Sequence, residues 1–174
     1  MMYIETHITV DNNQKDFFLD ICEKNGIKTT EIGFSSELCK ENHLMTSIKN
    51  KLNNIDINNY LEPLYFLFKD INILRSKIEV DKAEEFKYIE THLSINKEKL
   101  EIYNNLNLSK NWVISFNINK SNVFSITRRI YNKNKIKDIE NDFEELKSII
   151  NEKKLELEYC IYDSNVSLDY GWID

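Results

Sequence analysis

Glycine, proline and cysteine are all scarce in this chain of 174 residues, which contains three, one and three of them. Three scattered glycines leave no glycine-rich loop to cradle a phosphate. Cys22, Cys39 and Cys160 are odd in number, far apart and in no paired metal spacing. They are expected to be free thiols in a reducing compartment, which predicts a cytoplasmic protein with Cys22 and Cys160 as small core residues. No apolar run approaches the roughly 18 residues of a bilayer-spanning helix, and the opening Met-Met-Tyr-Ile lacks the pattern of a signal peptide. Long basic runs are absent too. The formal net charge is −6, and the short positive patches are Arg128-Arg129 and the stretch from Lys133 to Lys137. A broad nucleic-acid surface or an anionic membrane is therefore not an expected partner. A pocket that reads one phosphate of a small molecule or short oligonucleotide remains compatible with that charge.

What is present is material for a core and a repeat. The chain is 41% apolar, with nine Tyr, nine Phe and two Trp, which argues against wholesale disorder. Tyr-Ile-Glu-Thr-His occupies Tyr3 to His7 and recurs at Tyr88 to His92, suggesting an internal duplication.

Both copies alternate in the period of a strand. In the first, Tyr3, Glu5, His7 and Thr9 share one face, and Ile4, Thr6, Ile8 and Val10 the other. Asp11 with Gln14 forms a plausible capping box for a helix over 13–24 burying Phe17, Phe18 and Ile21, which Asn25-Gly26 ends. Strands follow at 27–34 and 43–48 across a polar loop at 35–41, then a helix over 58–70 and a strand at 76–80. The second half repeats this order: a strand at 88–95, a short helix over 97–107 and a hairpin of 112–118 with 123–131. A helix over 135–151 and a strand at 155–159 complete it. Two βαββαβ units predict an α+β protein made of tandem ferredoxin-like repeats, residues 1–81 and 86–174, with antiparallel sheets and pseudo-two-fold symmetry. Helices on one face of each sheet leave the other face open, to cover its twin or to pair with another subunit in a homodimer.

The open faces carry the chemistry. His7-Ile-Thr9 and His92-Leu-Ser94 each set an imidazole and a hydroxyl on one face, roughly 6.6 Å apart along the strand. Two such pairs flanking a phosphate would supply a general base, a general acid and hydrogen-bond donors to its oxygens. Glu5 and Glu90 are candidates for tuning the histidines, with Tyr3 and Tyr88 on the same faces. The pattern resembles the two-histidine phosphoesterase superfamily, whose members carry two His-x-Thr/Ser-hydrophobic motifs in a duplicated α/β fold. The resemblance implies catalytic histidines at His7 and His92, hydroxyl partners at Thr9 and Ser94, and hydrophobic positions at Val10 and Ile95. It also implies metal-independent action on a cyclic or 2′-5′ phosphodiester, without a cofactor. It covers eight residues directly. The motifs here fall in the first strand of each repeat, whereas in that family they usually lie further into each lobe. The ending Tyr162-Asp163-Ser164-Asn165 through Leu168, Asp169 and Trp172 resembles instead the end of an uncharacterised family of small bacterial proteins.

Two further residues enter the candidate site. His43, opening its strand, could join the cleft, though a strand-edge residue without a role is the simpler reading. Arg129 shares parity with Val123, Ser125 and Thr127 and offers a planar fork for an anion, ahead of its neighbour Arg128. Non-catalytic alternatives are a ligand-binding or interaction module in which the same strands merely pack the halves together. The tail with Leu168, Tyr170 and Trp172 is expected to fold back over the cleft or a helix, with Asp163, Asn165 and Asp169 as turn residues. Three histidines and scattered acids give no recognisable metal spacing.

Overall fold

The alternation in the first strand is realised: Ile4, Thr6, Ile8 and Val10 are buried against an outer apolar layer, and Glu5 and His7 face the opposite side. The computed structural model describes residues 1–34, 42–107, 111–118 and 122–168. In chain order these form β1 (Met2–Val10), α1 (Lys15–Lys24), β2 (Lys28–Phe34), β3 (His43–Leu52), α2 (Ile57–Leu67) and β4 (Ile73–Val80). There follow β5 (Tyr88–Asn96), α3 (Leu100–Asn104), β6 (Val113–Asn117), β7 (Val123–Ile130), α4 (Ile136–Leu146) and β8 (Glu158–Asp163).

The expected architecture of tandem ferredoxin-like sheets with open faces is corrected. The eight strands hydrogen-bond in the order β1-β3-β2-β6-β7-β5-β8-β4, and β4 returns to β1, so the sheet is one closed antiparallel barrel. The pairings that close it are β2 with β6 and β4 with β8, each joining strands remote in sequence. An uncovered sheet edge offers unpaired N–H and C=O groups, and closure gives every strand a neighbour on both sides. At the β2–β6 seam Gly33 lies opposite Phe116. A Cβ on Gly33 would come within 2.5 Å of the Phe116 ring, so this position accepts only hydrogen without a shift of the ring.

Closure inverts the usual placement of the core. Apolar side chains lie outside the barrel wall, beneath the helices: Ile4, Ile8, Phe18, Leu61, Phe68 and Ile78 form one cluster. Leu93, Tyr103, Trp112, Ile126, Phe143 and Leu146 form another. The inward faces carry polar and charged residues instead.

Several local expectations shift. Gly26 ends α1 with φ +63, the left-handed conformation glycine tolerates. Asp11 accepts from the Asn13 N–H, but Gln14 does not complete a capping box. Its side chain bridges to Asn72 N and Asp70 O, tying the start of α1 to the entry of β4. Phe18 is fully buried, whereas Phe17 is 48% exposed, so α1 is rotated away from the expected stripe. The last helix stops at Leu146, after which Ile150 bridges to Ile95 of β5. The last strand begins at Glu158 rather than 155. The expected loop at 35–41, with Cys39, and the tail residues Asp169, Tyr170 and Trp172 lie outside the described residues.

No helix among the described residues is long and apolar enough to cross a membrane.

Candidate functional site

β1 and β5 sit in different parts of the wall, and the barrel aims His7 and His92 into the same lumen. A cavity of about 280 Å³ is lined by both histidines together with Glu5, Arg75, Lys77 and Glu90, among others. A wider cavity of about 560 Å³, with Tyr3, Lys49 and Lys154 on its wall, shares Glu5 and Glu158 with it. Those two carboxylates therefore stand between vestibule and chamber.

Each imidazole is fixed at one nitrogen by the wall. His7 Nδ1 lies 2.9 Å from the Thr46 carbonyl oxygen. A carbonyl only accepts, so Nδ1 carries the proton. The contact is made by opening the strand ladder: the Ile8 N–H, opposite Thr46, donates to Thr46 Oγ1 at 2.9 Å instead of to its carbonyl. His7 Nε2 then faces Glu79 Oε2 at 3.1 Å and Glu5 at 3.8 Å. His92 Nδ1 meets the Thr127 hydroxyl at 2.7 Å, and its Nε2 lies 3.3 Å from Glu158 and 3.5 Å from Glu90.

Around these rings runs a buried ionic network. Lys77 Nζ lies 2.9 Å from both Glu79 and Glu90, and Arg129 forms a second ion pair with Glu90 while stacking 4.0 Å over the Tyr88 ring. Deeper in, Arg75 donates to Asp163 at 3.0 Å from Nε and 2.6 Å from Nη2. The Tyr88 hydroxyl also donates to Asp163.

The burial of so many ions would by itself favour neutral forms, and the partners overturn that tendency. Enclosure opposes the charge on His92, yet hydrogen bonds and charges from Glu158 and Glu90 outweigh it, raising its pKa to about 10. The ring is enclosed by protein but 39% accessible, because its free side is chamber rather than packed side chain. Burial pulls Glu158 upward, but His92 and Lys77 prevail and lower it to about 2. Glu90 is likewise held well below the usual carboxylate range against desolvation, by Lys77, His92 and Arg129. Glu5 is lowered because the Ser47 hydroxyl, His7 and Lys49 outweigh its burial. Desolvation pushes the Cys160 thiol up to about 12 and the Cys22 thiol to about 11, so both are inert core sulfurs.

Asp163 gives a direct test of this network. Desolvation raises its pKa, but the Arg75 guanidinium and the Tyr88 hydroxyl more than compensate and hold it below 3.8. A depressed folded pKa contributes stability above the unfolded value, and this is lost as pH falls through the folded one. Urea unfolding measured from about pH 6 down to about pH 2 should show an acid limb that is shallower in Asp163→Asn.

The remaining sequence candidates scatter. Tyr3 is on the vestibule, half exposed, with Lys51 Nζ 4.5 Å from its ring centroid. Tyr88 and Arg129 are inside the barrel but tied into the ionic network. Thr9 is buried opposite Met45 and Arg75 and does not line the chamber. Ser94 is also outside it, its hydroxyl donating to Glu152 at 2.6 Å. His43 is buried opposite Ile32 at the start of β3, away from the chamber lining. Arg128 points outward to Asp142 on α4. Missing from the sequence reading are Thr46, Arg75, Lys77, Glu79, Thr127 and Glu158. Lys77 and Glu79 carried a signal: charges of one parity in a strand whose other parity is Ile78 and Val80. Among the described residues, Glu79, His92 and Glu158 place potential metal-ligand atoms within 4.8 Å of one another.

These features define a closed antiparallel barrel with helices outside and a charged, solvent-reachable chamber within. No family model and no curated protein matches the chain. Among solved structures, it is similar to the crystal structure of a putative monooxygenase from Fusobacterium nucleatum subsp. nucleatum. The identity is 10%, the coverage 93% of each chain and the TM-score 0.37, a likeness too low to bear on function.

Proposed function

We propose that the lumen binds one small polar molecule and acts on it by proton transfer, with His7 exchanging the proton and His92 anchoring the charged end. The observation that supports this reading is the convergence of His7 and His92 on one chamber of about 280 Å³. An eight-stranded barrel has an interior just wide enough to be filled by side chains or to hold one small ligand. The volume sits at the lower edge of small-molecule sites, roughly 300–1,000 Å³. His7 lines the chamber and is fixed at Nδ1 by the Thr46 carbonyl, which leaves its Nε2 side to exchange a proton with a bound group.

The two converging histidines also favour a second reading, hydrolysis of a cyclic or 2′-5′ phosphodiester. Three features weigh on the other side. Glu5, Glu79, Glu90 and Glu158 crowd the imidazoles and would repel a phosphate, Arg75, Lys77 and Arg129 are already engaged by carboxylates, and Thr9 and Ser94 do not line the chamber.

The chain has three histidines, so their ring signals in an NMR spectrum are few enough to follow singly. Small polar fragments that bind should shift the His7 and His92 signals together and leave His43 in place. A screen in which no fragment moves both would sink the first reading. In parallel, hydrolysis of 2′,3′-cyclic nucleotides should fall by about 10²–10⁴ in His7→Ala and His92→Ala if the second reading is right. Turnover unchanged in either variant, or absent in wild type, removes it.

A further inference from the structure

The charged lining of the chamber is balanced before anything binds. Besides His7 it consists of three carboxylates, Glu5, Glu90 and Glu158, and three cations, Arg75, Lys77 and His92. His92 counts among the cations because, burial notwithstanding, Glu158 and Glu90 raise its pKa to about 10. Glu90 and Arg75 are sealed into the network, 1% and 4% exposed. His92 and Glu158, 3.3 Å apart, are the reachable pair, their side chains 39% and 38% accessible. The other side of the chamber has a different character. Thr30, Ser115 and Ser125 line it, and none of their hydroxyls meets a hydrogen-bond partner among the described residues. Ser115 is 6% exposed, so its hydroxyl depends on whatever occupies the chamber. Ser115 and Ser125 stand opposite one another on β6 and β7. Thr127, which holds His92 Nδ1, lies two residues along β7 from Ser125. The serines are therefore set roughly 6.6 Å along the wall from the point where His92 is held.

We propose that the ligand of this chamber is a small zwitterion of the amino-acid type whose tail ends in a hydroxyl or an amide. Its carboxylate lies against His92 and its ammonium against Glu158 and Glu5, so the enclosed charge stays at zero. A ligand with a single net charge would lack compensation, because the charges of the wall already balance, and an uncompensated charge in an enclosed site is costly. An anion would also have to pass a vestibule that sets five carboxylates against Lys49 and Lys154. The tail then meets Ser115, Ser125 and Thr30. A hydroxyl both donates and accepts, so this wall suits an alcohol or an amide. A hydrocarbon tail would strip solvent from the three hydroxyls and return no hydrogen bond.

The inference rests on the proposed reading of the lumen as a ligand chamber. The full chain would be titrated by calorimetry with serine, threonine, asparagine and glutamine, while NMR follows the histidine ring signals. For comparison, alanine lacks the polar tail, ethanolamine the carboxylate and glycolate the ammonium. At least one of the four polar amino acids is expected to bind and to shift both His92 and His7. Ethanolamine and glycolate should each bind about tenfold or more weakly, since each loses a charge-assisted contact. Ser115→Ala should weaken the polar amino acid about threefold to tenfold and leave alanine unchanged. Ser125→Ala should act in the same direction, and it carries the test if Ser115→Ala does not fold. No binding by any of the four up to about 10 mM would overturn the assignment. So would equal binding of ethanolamine or glycolate, or insensitivity to both serine changes. Monofunctional fragments that shift both histidines while no amino acid binds would overturn this inference and leave the proposed function standing. Amino-acid binding that needs Ser115 and moves His92 alone would keep the inference and remove proton exchange at His7.

Discussion

Glu90→Gln is expected to destabilise the protein by about 3–5 kcal/mol, read as a shift of the urea midpoint with little change in slope. Glu90 is 1% exposed and touches Lys77, Arg129 and His92, three groups that carry positive charge. The amide keeps the shape but removes the negative centre, so Lys77 and Arg129 are left in the barrel with half their compensation. Breaking a buried pair by deleting one partner costs this much because the orphaned charge remains desolvated. Removing both ends at once should be milder: in Lys77→Met with Glu90→Gln the losses should be clearly less than additive. Strict additivity of the two single changes would show that the residues do not form one network.

Phe18→Ala should cost about 3–5 kcal/mol, and Phe17→Ala, one position away, less than about 0.5 kcal/mol. Phe18 is wholly buried between α1 and the outside of the barrel, its ring 5.3 Å from that of Phe68. Truncation there removes the transfer free energy of the ring and leaves a cavity that the β1 and β4 wall cannot fill. Phe17 is 48% exposed and loses little. Equal losses at the two positions would mean that α1 does not present this face and that the apolar core is not the layer outside the barrel.

This pair of neighbours also marks how far local pattern reaches. The sequence places a helix here and marks its apolar residues, but a 3.6-residue period leaves the stripe uncertain by one position. Gln14 shows the same limit. Its spacing from Asp11 is right for a capping box, yet tertiary contacts with Asn72 and Asp70 claim its side chain. The strand period of β1 and β5 is firmer, because it is two and has no such ambiguity. It sorted Glu5 and His7 from Ile4 and Ile8, and Glu90 and His92 from Ile89 and Leu93.

The partners of those histidines were far less legible. Thr46 reaches His7 through its carbonyl, which no side-chain pattern reports. Glu79 and Glu158 are placed beside the histidines by register between strands, and register is set by pairing across the sheet. Thr9 and Ser94 shared the histidines' parity, yet parity does not fix depth along the barrel axis, and neither lines the chamber.

By itself the sequence determined where most strands and helices lie, which strand face is apolar, and that His7 and His92 share a polar face with carboxylates. Those properties follow from backbone periodicity and side-chain chemistry within about ten residues. Only the tertiary structure decided that the polar faces enclose a chamber. The pairings of β2 with β6 and β4 with β8 join segments remote in sequence, and every strand edge can in principle accept a partner. What selects them is the pairing of each strand on both sides together with burial of both outer apolar layers, a condition on the whole chain that no local pattern expresses.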